Sequence, residues 1–257
     1  MKDLLLCIDV GNTQTVLGVF KDREITSRWR IHSDRDRTAD EYIHLIRDLL
    51  RSGGIREDSL RGISISCVVP PARQALIDMA RTAFGILPLV VGPGVKSGMP
   101  ILYHNPREVG ADRIANAVAA FDRFKEGLIV IDFGTAITFD VVSGAGEYAG
   151  GIIFPGIQIS LDALFVKAAR LPRVELDRPE NVVGKDTISS IQSGIVYGYA
   201  GLVDSLVDRI RREAGKDLYV VATGGLAGVI AGESRTIQET LPDLTLEGLR
   251  ILWEKNR

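Results

Sequence analysis

Asp9-Val10-Gly11-Asn12-Thr13 and Asp132-Phe133-Gly134-Thr135-Ala136 repeat one pattern. Each closes an apolar run (4–8 and 128–131) with a carboxylate, an apolar residue and a glycine, and a hydroxyl residue, Thr13 or Thr135, follows within two positions. Glycine lets the backbone turn tightly and approach a ligand closely. Free N–H groups and hydroxyls in such a turn can cradle phosphate oxygens, and a strand-end carboxylate can hold a hydrated cation that bridges to the same phosphates. One copy alone reads first as an ordinary hairpin turn. A second copy, with a third strand-to-glycine turn at Thr223-Gly224-Gly225, points to a duplicated nucleotide-handling fold.

A second constellation is Asn105-Pro106-Arg107-Glu108-Val109-Gly110-Ala111-Asp112-Arg113, which follows a Gly/Pro loop and opens a helix. Adjacent on a helix, Asp112 and Arg113 diverge by about 100° and do not pair. An acid in a first turn has a plain role, favouring the helix dipole. The same segment also presents an acid, a guanidinium and helix N–H groups together, which suits a hydroxyl to be deprotonated and an anion to be held. The residues leave both readings open.

Other glycines carry weaker signals. Gly150-Gly151 inside a strand suggests close approach of a backbone or ligand. Gly194, Gly198 and Gly201 recur along one helix, at a cost of roughly 1 kcal/mol each, so either packing within the chain or a helix–helix subunit contact must offset them. No Walker loop or G-x-G-x-x-G occurs: Gly184-Lys185 and Gly215-Lys216 are each followed by Asp. His32, His44 and His104 lack ligand spacing. Cys7 and Cys67, the two cysteines, lie in apolar runs and read as buried small hydrophobes in a reduced, cytoplasmic setting. Asp34-Arg35-Asp36-Arg37 reads as a solvated loop.

These groups must be positioned by alternating strands and helices. The chain has 257 residues, 46% hydrophobic and 25% charged, with net charge −2. That is a globular composition without a basic surface for nucleic acid. Lys2 and Asp3 precede an apolar run that reaches Asp9 too soon for a leader peptide, and no run suits a membrane span. Strands are expected at 4–10, 16–20 and 25–31, a helix capped by Thr38 with Glu41, a strand at 63–69, a helix from Pro70 and a strand at 87–91. The second half repeats the order. A helix runs from Pro106 or Arg107 to about Phe124, followed by strands at 128–132, 135–142 and 148–154. A short helix at 159–165, a loop at 170–185, a long helix at 187–214, a strand at 218–222 and a tail of short strand plus helix from Leu244 to Trp253 complete it. The halves are set at 1–113 and 114–257. Periodicity licenses an α/β fold with mixed sheets.

With these segments assembled, the chain resembles the type III pantothenate kinases along nearly its whole length. The Asn105–Arg113 string is the most specific feature, joined by both Asp-x-Gly turns, by Gly150-Gly151 with Pro155-Gly156, and by Gly184-Lys185-Asp186-Thr187 with Gln192-Ser193-Gly194. The resemblance implies a duplicated actin/Hsp70/sugar-kinase-like (ribonuclease H-like) fold with a cleft between two halves. It also implies transfer of the ATP γ-phosphoryl group to pantothenate, the opening step of coenzyme A synthesis. By the same resemblance Asp112 is the general base, and Tyr103, Gly110, Ala111 and Arg113 line the pantothenate pocket. Thr187 reaches that pocket, from the same chain or from a second subunit. Asp9, Val10, Gly11, Asn12, Thr13, Gln14, Thr15, Val16 and Thr135 contact ATP. Asp132 binds a monovalent cation, potassium or ammonium, Mg²⁺ travels with the nucleotide near Asp9, and the enzyme is a homodimer. A kinase for another small alcohol and a nucleotide-dependent regulatory protein share the fold and stand as rivals.

Overall fold

The computed structural model describes residues 3–257; Lys2, which enters the leader-peptide argument, lies outside them. Contacts divide the chain into two compact units. One takes the chain up to Asp122 together with Leu244–Arg257, and the other is Arg123–Asp243.

The first unit opens with a meander of three antiparallel strands, β1 (Leu4–Val10), β2 (Gln14–Lys21) and β3 (Glu24–His32). After helix α1 (Ala39–Ser52), strand β4 (Leu60–Cys67) pairs parallel to β1, and after α2 (Pro70–Phe84) the two-residue β5 (Leu89–Val90) pairs parallel to β4. The sheet order is β3-β2-β1-β4-β5. Helix α1 starts where Thr38 and Glu41 cap each other: the Glu41 N–H donates to Thr38 Oγ1, and the Thr38 N–H donates to Glu41 Oε2 at 2.7 Å. That hydrogen bond from the Thr38 backbone holds the Glu41 carboxyl below its ordinary range. The buried face of α1, with Tyr42, Ile46 and Leu50, joins Leu6, Ile8, Ile63, Ile65, Leu76 and Met79 in one core.

The second unit repeats this topology. Strands β6 (Leu128–Phe133), β7 (Ala136–Val142) and β8 (Tyr148–Pro155) form an antiparallel meander. Helices α4 (Ile157–Lys167) and α5 (Thr187–Ala214) lead to β9 (Tyr219–Thr223), parallel to β6. Helix α6 (Ala227–Ala231) and β10 (Glu239–Thr240) complete the order β10-β9-β6-β7-β8. Its core joins Ile129, Ile131, Phe139, Val203, Val207 and Val220.

Several boundaries differ from the sequence expectation. Helix α3 (Ala111–Phe124) begins later than Pro106. Pro106–Glu108 form a separate 3-10 turn, because Asn105 Oδ1 takes the Arg107 N–H and its Nδ2 donates to Glu108. The tail holds no strand after Leu244: α7 (Leu244–Lys255) is continuous, with Leu244, Leu249 and Leu252 buried at helical spacing. This helix returns to the first unit. Thr245 Oγ1 donates to Asn116 Oδ1 at 2.7 Å, and Ser64 Oγ donates to the Leu249 carbonyl at 3.0 Å. The compact units therefore divide after Asp122, not at 113/114.

Cys7 is buried as expected. Cys67 is only partly so; its Sγ donates to the Val69 carbonyl, and desolvation raises its thiol pKa. Arg37 is not simply solvated, since it is half-buried with its guanidinium 5.3 Å over the Tyr42 ring. Gly150 sits at φ +132 beside a register shift in the β7–β8 pairing, and a Cβ there would meet nothing within 4 Å. Backbone conformation, not the close approach of another backbone, requires that glycine. A Cβ at Gly194, Gly198 or Gly201 also meets nothing within 4 Å, which removes close packing within the chain as their explanation.

Candidate active site

In the first unit, β1 places Asp9 one residue from its end, opposite Val16 on β2 and Ser66 on β4. The Gly11 N–H donates to the Gln14 carbonyl at 3.1 Å, which closes the turn and leaves Asn12, Thr13 and Gln14 exposed at its tip. The hairpin is braced from β3. Thr15 Oγ1 lies 2.8 Å from Ser33 Oγ, and the Ser33 N–H donates to the Thr13 carbonyl. Ser33 is a positioning residue that no sequence motif marks. Val10 and Thr15 are buried beneath the turn.

The same unit carries the Asn105–Arg113 segment. After the 3-10 turn, Val109 is buried and the Gly110 carbonyl accepts the first helical N–H, from Ile114. Asp112 Oδ1 accepts the Arg113 N–H at 2.9 Å. It also occupies the space a side chain at Gly110 would need, 2.4 Å from where a Cβ would stand. Gly110 therefore sets where the Asp112 carboxylate lies. Arg113 is buried, whereas Tyr103 and Ala111 are half-exposed.

In the second unit, Asp132 stands in β6 opposite Thr138 and beside Thr223 of β9. Its turn closes like the first, with the Gly134 N–H donating to the Ala136 carbonyl at 3.2 Å. Two distant glycines admit this turn. A Cβ at Gly156 would stand 2.1 Å from the Thr135 carbonyl oxygen and 2.7 Å from that of Gly134. Gly224, at φ +93, would place a Cβ 2.6 Å from Asp132 Oδ1 and 2.7 Å from the Phe133 backbone. The sequence marked Gly156 and Gly224 as turns but not as the walls of the Asp132 hairpin.

Thr187 is the first residue of α5. Asp186 caps that helix by accepting the Ser189 N–H at 2.9 Å, which holds its carboxyl below the ordinary range. Thr187 lines a groove of about 800 Å³ with Leu164, Lys185, Ser190 and Ile195. The structure thus groups Gly110, Asp112 and Arg113 in the first unit, groups Asp132 and Thr135 with Gly156 and Gly224 in the second, and places Thr187 at a separate groove of the second.

Among the described residues no group of three His, Cys, Asp or Glu side chains could hold a metal ion. A magnesium ion that arrives on nucleotide phosphates needs only one or two carboxylates, and the Asp9 carboxylate has the chemistry of such a ligand. A potassium-sized ion takes hard oxygen donors, for which the Asp132 carboxylate and the turn carbonyls are the right chemistry. Among the described residues no helix is long and apolar enough to cross a membrane.

The sequence profile of the type III pantothenate kinase family matches residues 5–209. The type III pantothenate kinase of Syntrophotalea carbinolica is 56% identical over 254 residues, covering 99% of this chain and 100% of the relative. The ethanolamine utilization protein EutJ of Carboxydothermus hydrogenoformans superposes with a TM-score of 0.56 at 17% identity, over 97% of this chain and 89% of that one. The inorganic polyphosphate/ATP-glucomannokinase of Arthrobacter sp. strain KM gives 0.50 at 10% identity, over 98% and 99%. With the duplicated sheet topology, these likenesses establish the two-unit fold of the sugar-kinase and actin group. The chain belongs to the type III pantothenate kinase family.

Proposed function

We propose that this chain transfers the γ-phosphoryl group of ATP to the primary hydroxyl of pantothenate. The products are 4′-phosphopantothenate and ADP, in the first step of coenzyme A synthesis. The observation that carries the reading is the full-length match to a relative named for that activity, 56% identical over 99% of this chain. The cytoplasm is the compartment that two free cysteines suit.

An alcohol is a poor nucleophile, and a carboxylate that accepts its proton as the bond forms contributes roughly 10²–10⁴-fold. Asp112 is that base. Its Oδ1 is held by the Arg113 N–H, and Oδ2 accepts no hydrogen bond from the described residues, so it is open to a substrate hydroxyl. Arg113 supplies a fixed positive group for the pantothenate carboxylate, with Tyr103, Gly110 and Ala111 beside it in the first unit. The turn from Asp9 to Val16 holds the phosphates through N–H groups and hydroxyls. Phosphoryl transfer asks chiefly for such positioning and charge stabilisation. Asp9 would hold a magnesium ion and Asp132 a potassium or ammonium ion, and each would supply positive charge to offset that of a phosphoryl group.

A homodimer is supported by exposed apolar residues of the second unit, among them Ile153, Val166, Val182, Val183 and Ile188, and by the open glycine row of α5.

The test is ADP release with pantothenate, with no acceptor and with a panel of sugars, each in potassium and in sodium buffer. Release that requires pantothenate and falls in sodium is expected. Release driven by a sugar but not by pantothenate would overturn the substrate, and equal rates in sodium would remove the role of Asp132.

A further inference from the structure

The first unit carries a second concentration of cationic groups, at the opposite end of its strands from the Asp9 turn. A pocket of about 270 Å³ is lined by Asp22 and Arg23 from the β2–β3 turn, Arg61 from the start of β4, and Glu254 and Arg257 from the end of α7. Arg61 and Ser66, the neighbour of Asp9, lie on one strand, five residues or about 16 Å apart at ordinary strand rise. This pocket is therefore distinct from the phosphate-binding turn.

Its charges are unbalanced. Glu254 is already engaged by Arg250 Nη1 at 2.9 Å. Neither Arg23, Arg61 nor Arg257 has an ion pair with a carboxylate among the described residues. Arg61 and Arg257 instead lie over the Trp253 ring, at 5.1 and 3.7 Å from its centroid. Arg61 Nε is buried without a hydrogen-bond partner. Like charges gathered on one ring repel, and a buried guanidinium nitrogen without an acceptor is costly. An oxyanion seated among the three would relieve that repulsion. Asp22 is the one acid at the rim that no basic side chain engages, so the ligand must carry enough charge to outweigh it.

We infer that Arg23, Arg61 and Arg257 form a binding site for a phosphate-class oxyanion, held through charge-assisted guanidinium hydrogen bonds and separate from the nucleotide site. Guanidinium geometry suits the tetrahedral oxygens of phosphate, taken as the free ion or as the end of a phosphate ester. The inference is independent of the reaction assigned to the active site.

Equilibrium dialysis of the full chain with radiolabelled inorganic phosphate tests it, with an unreactive ATP analogue in excess to fill the nucleotide site and sodium chloride matching ionic strength. Bound phosphate that persists under the analogue is expected, weakened about tenfold by Arg61→Gln. Arg23→Gln, in an exposed turn, should weaken it similarly and leave the basal kinase rate unchanged. Glycerol phosphate in competition separates the sources: tighter displacement than by phosphate itself assigns an ester, and weaker displacement assigns the free ion. No retained phosphate at millimolar concentration, or equal retention by wild type and both variants, overturns the site.

Discussion

At the residue scale, the account turns on how one carboxylate is aimed. Asp112 stood out as a candidate because an acid, an arginine and a glycine stood together at a helix start, but the residues left a plain helix-dipole role equally open and only the family resemblance names it the base. What Gly110 does was not legible, since it depends on the Asp112 carboxylate folding back over the space a Cβ would fill. Gly110→Ala should therefore push that carboxylate aside while the helix persists. Turnover is expected to fall about a hundredfold, the order expected when a reacting group is misplaced by an ångström, with an unchanged circular dichroism melt. Wild-type turnover in Gly110→Ala would mean that the carboxylate position is not critical. Ser33 shows the same limit: nothing in its neighbours announces the hydrogen bonds to Thr13 and Thr15, because they form only when β3 lies beside β2.

At the element scale, the two meanders and the order strand, helix, strand were readable from aliphatic runs, turn residues and the Thr38 cap. The short elements were not. Helix α6 has five residues and β10 two, too few for a period to show, and both are fixed by packing around β9. Nor could periodicity tell that Gly224 walls the Asp132 turn. Gly224→Ala meets a left-handed φ and a clash with Phe133 together. It should cost about 2–4 kcal/mol in chemical denaturation and abolish any preference for potassium over sodium. A variant of wild-type stability would show that β6 and β9 are not held so closely.

At the scale of the whole molecule, the duplication was legible from the repeated Asp-x-Gly turns, whereas the return of α7 to the first unit was not, because contacts between distant segments leave no local pattern. One long-range device has a clear pH signature. Asp204 of α5 is desolvated, which would raise its pKa, but hydrogen bonds from Ser234, Arg235 and Thr236 outweigh burial and hold it below the ordinary range. Its contribution is thus full above the unfolded carboxylate value and is lost as pH falls through the lower folded one. Asp204→Asn should lose about 1–3 kcal/mol at pH 7 and show a shallower acid limb in denaturant titrations. Parallel pH profiles of the two proteins would contradict this. Val166 and Val183 are 69% and 78% exposed. Placing glutamate at both should shift the full chain from dimer to monomer in sedimentation equilibrium, and an unchanged mass would locate any dimer contact elsewhere. The central claim, that Asp112 activates the pantothenate hydroxyl, is tested most directly by counting products: 4′-phosphopantothenate and ADP formed by the wild type and by Asp112→Asn. The account predicts equal amounts of both from the wild type, and from the folded variant a rate lower by at least about a hundredfold; wild-type product formation by Asp112→Asn would contradict it.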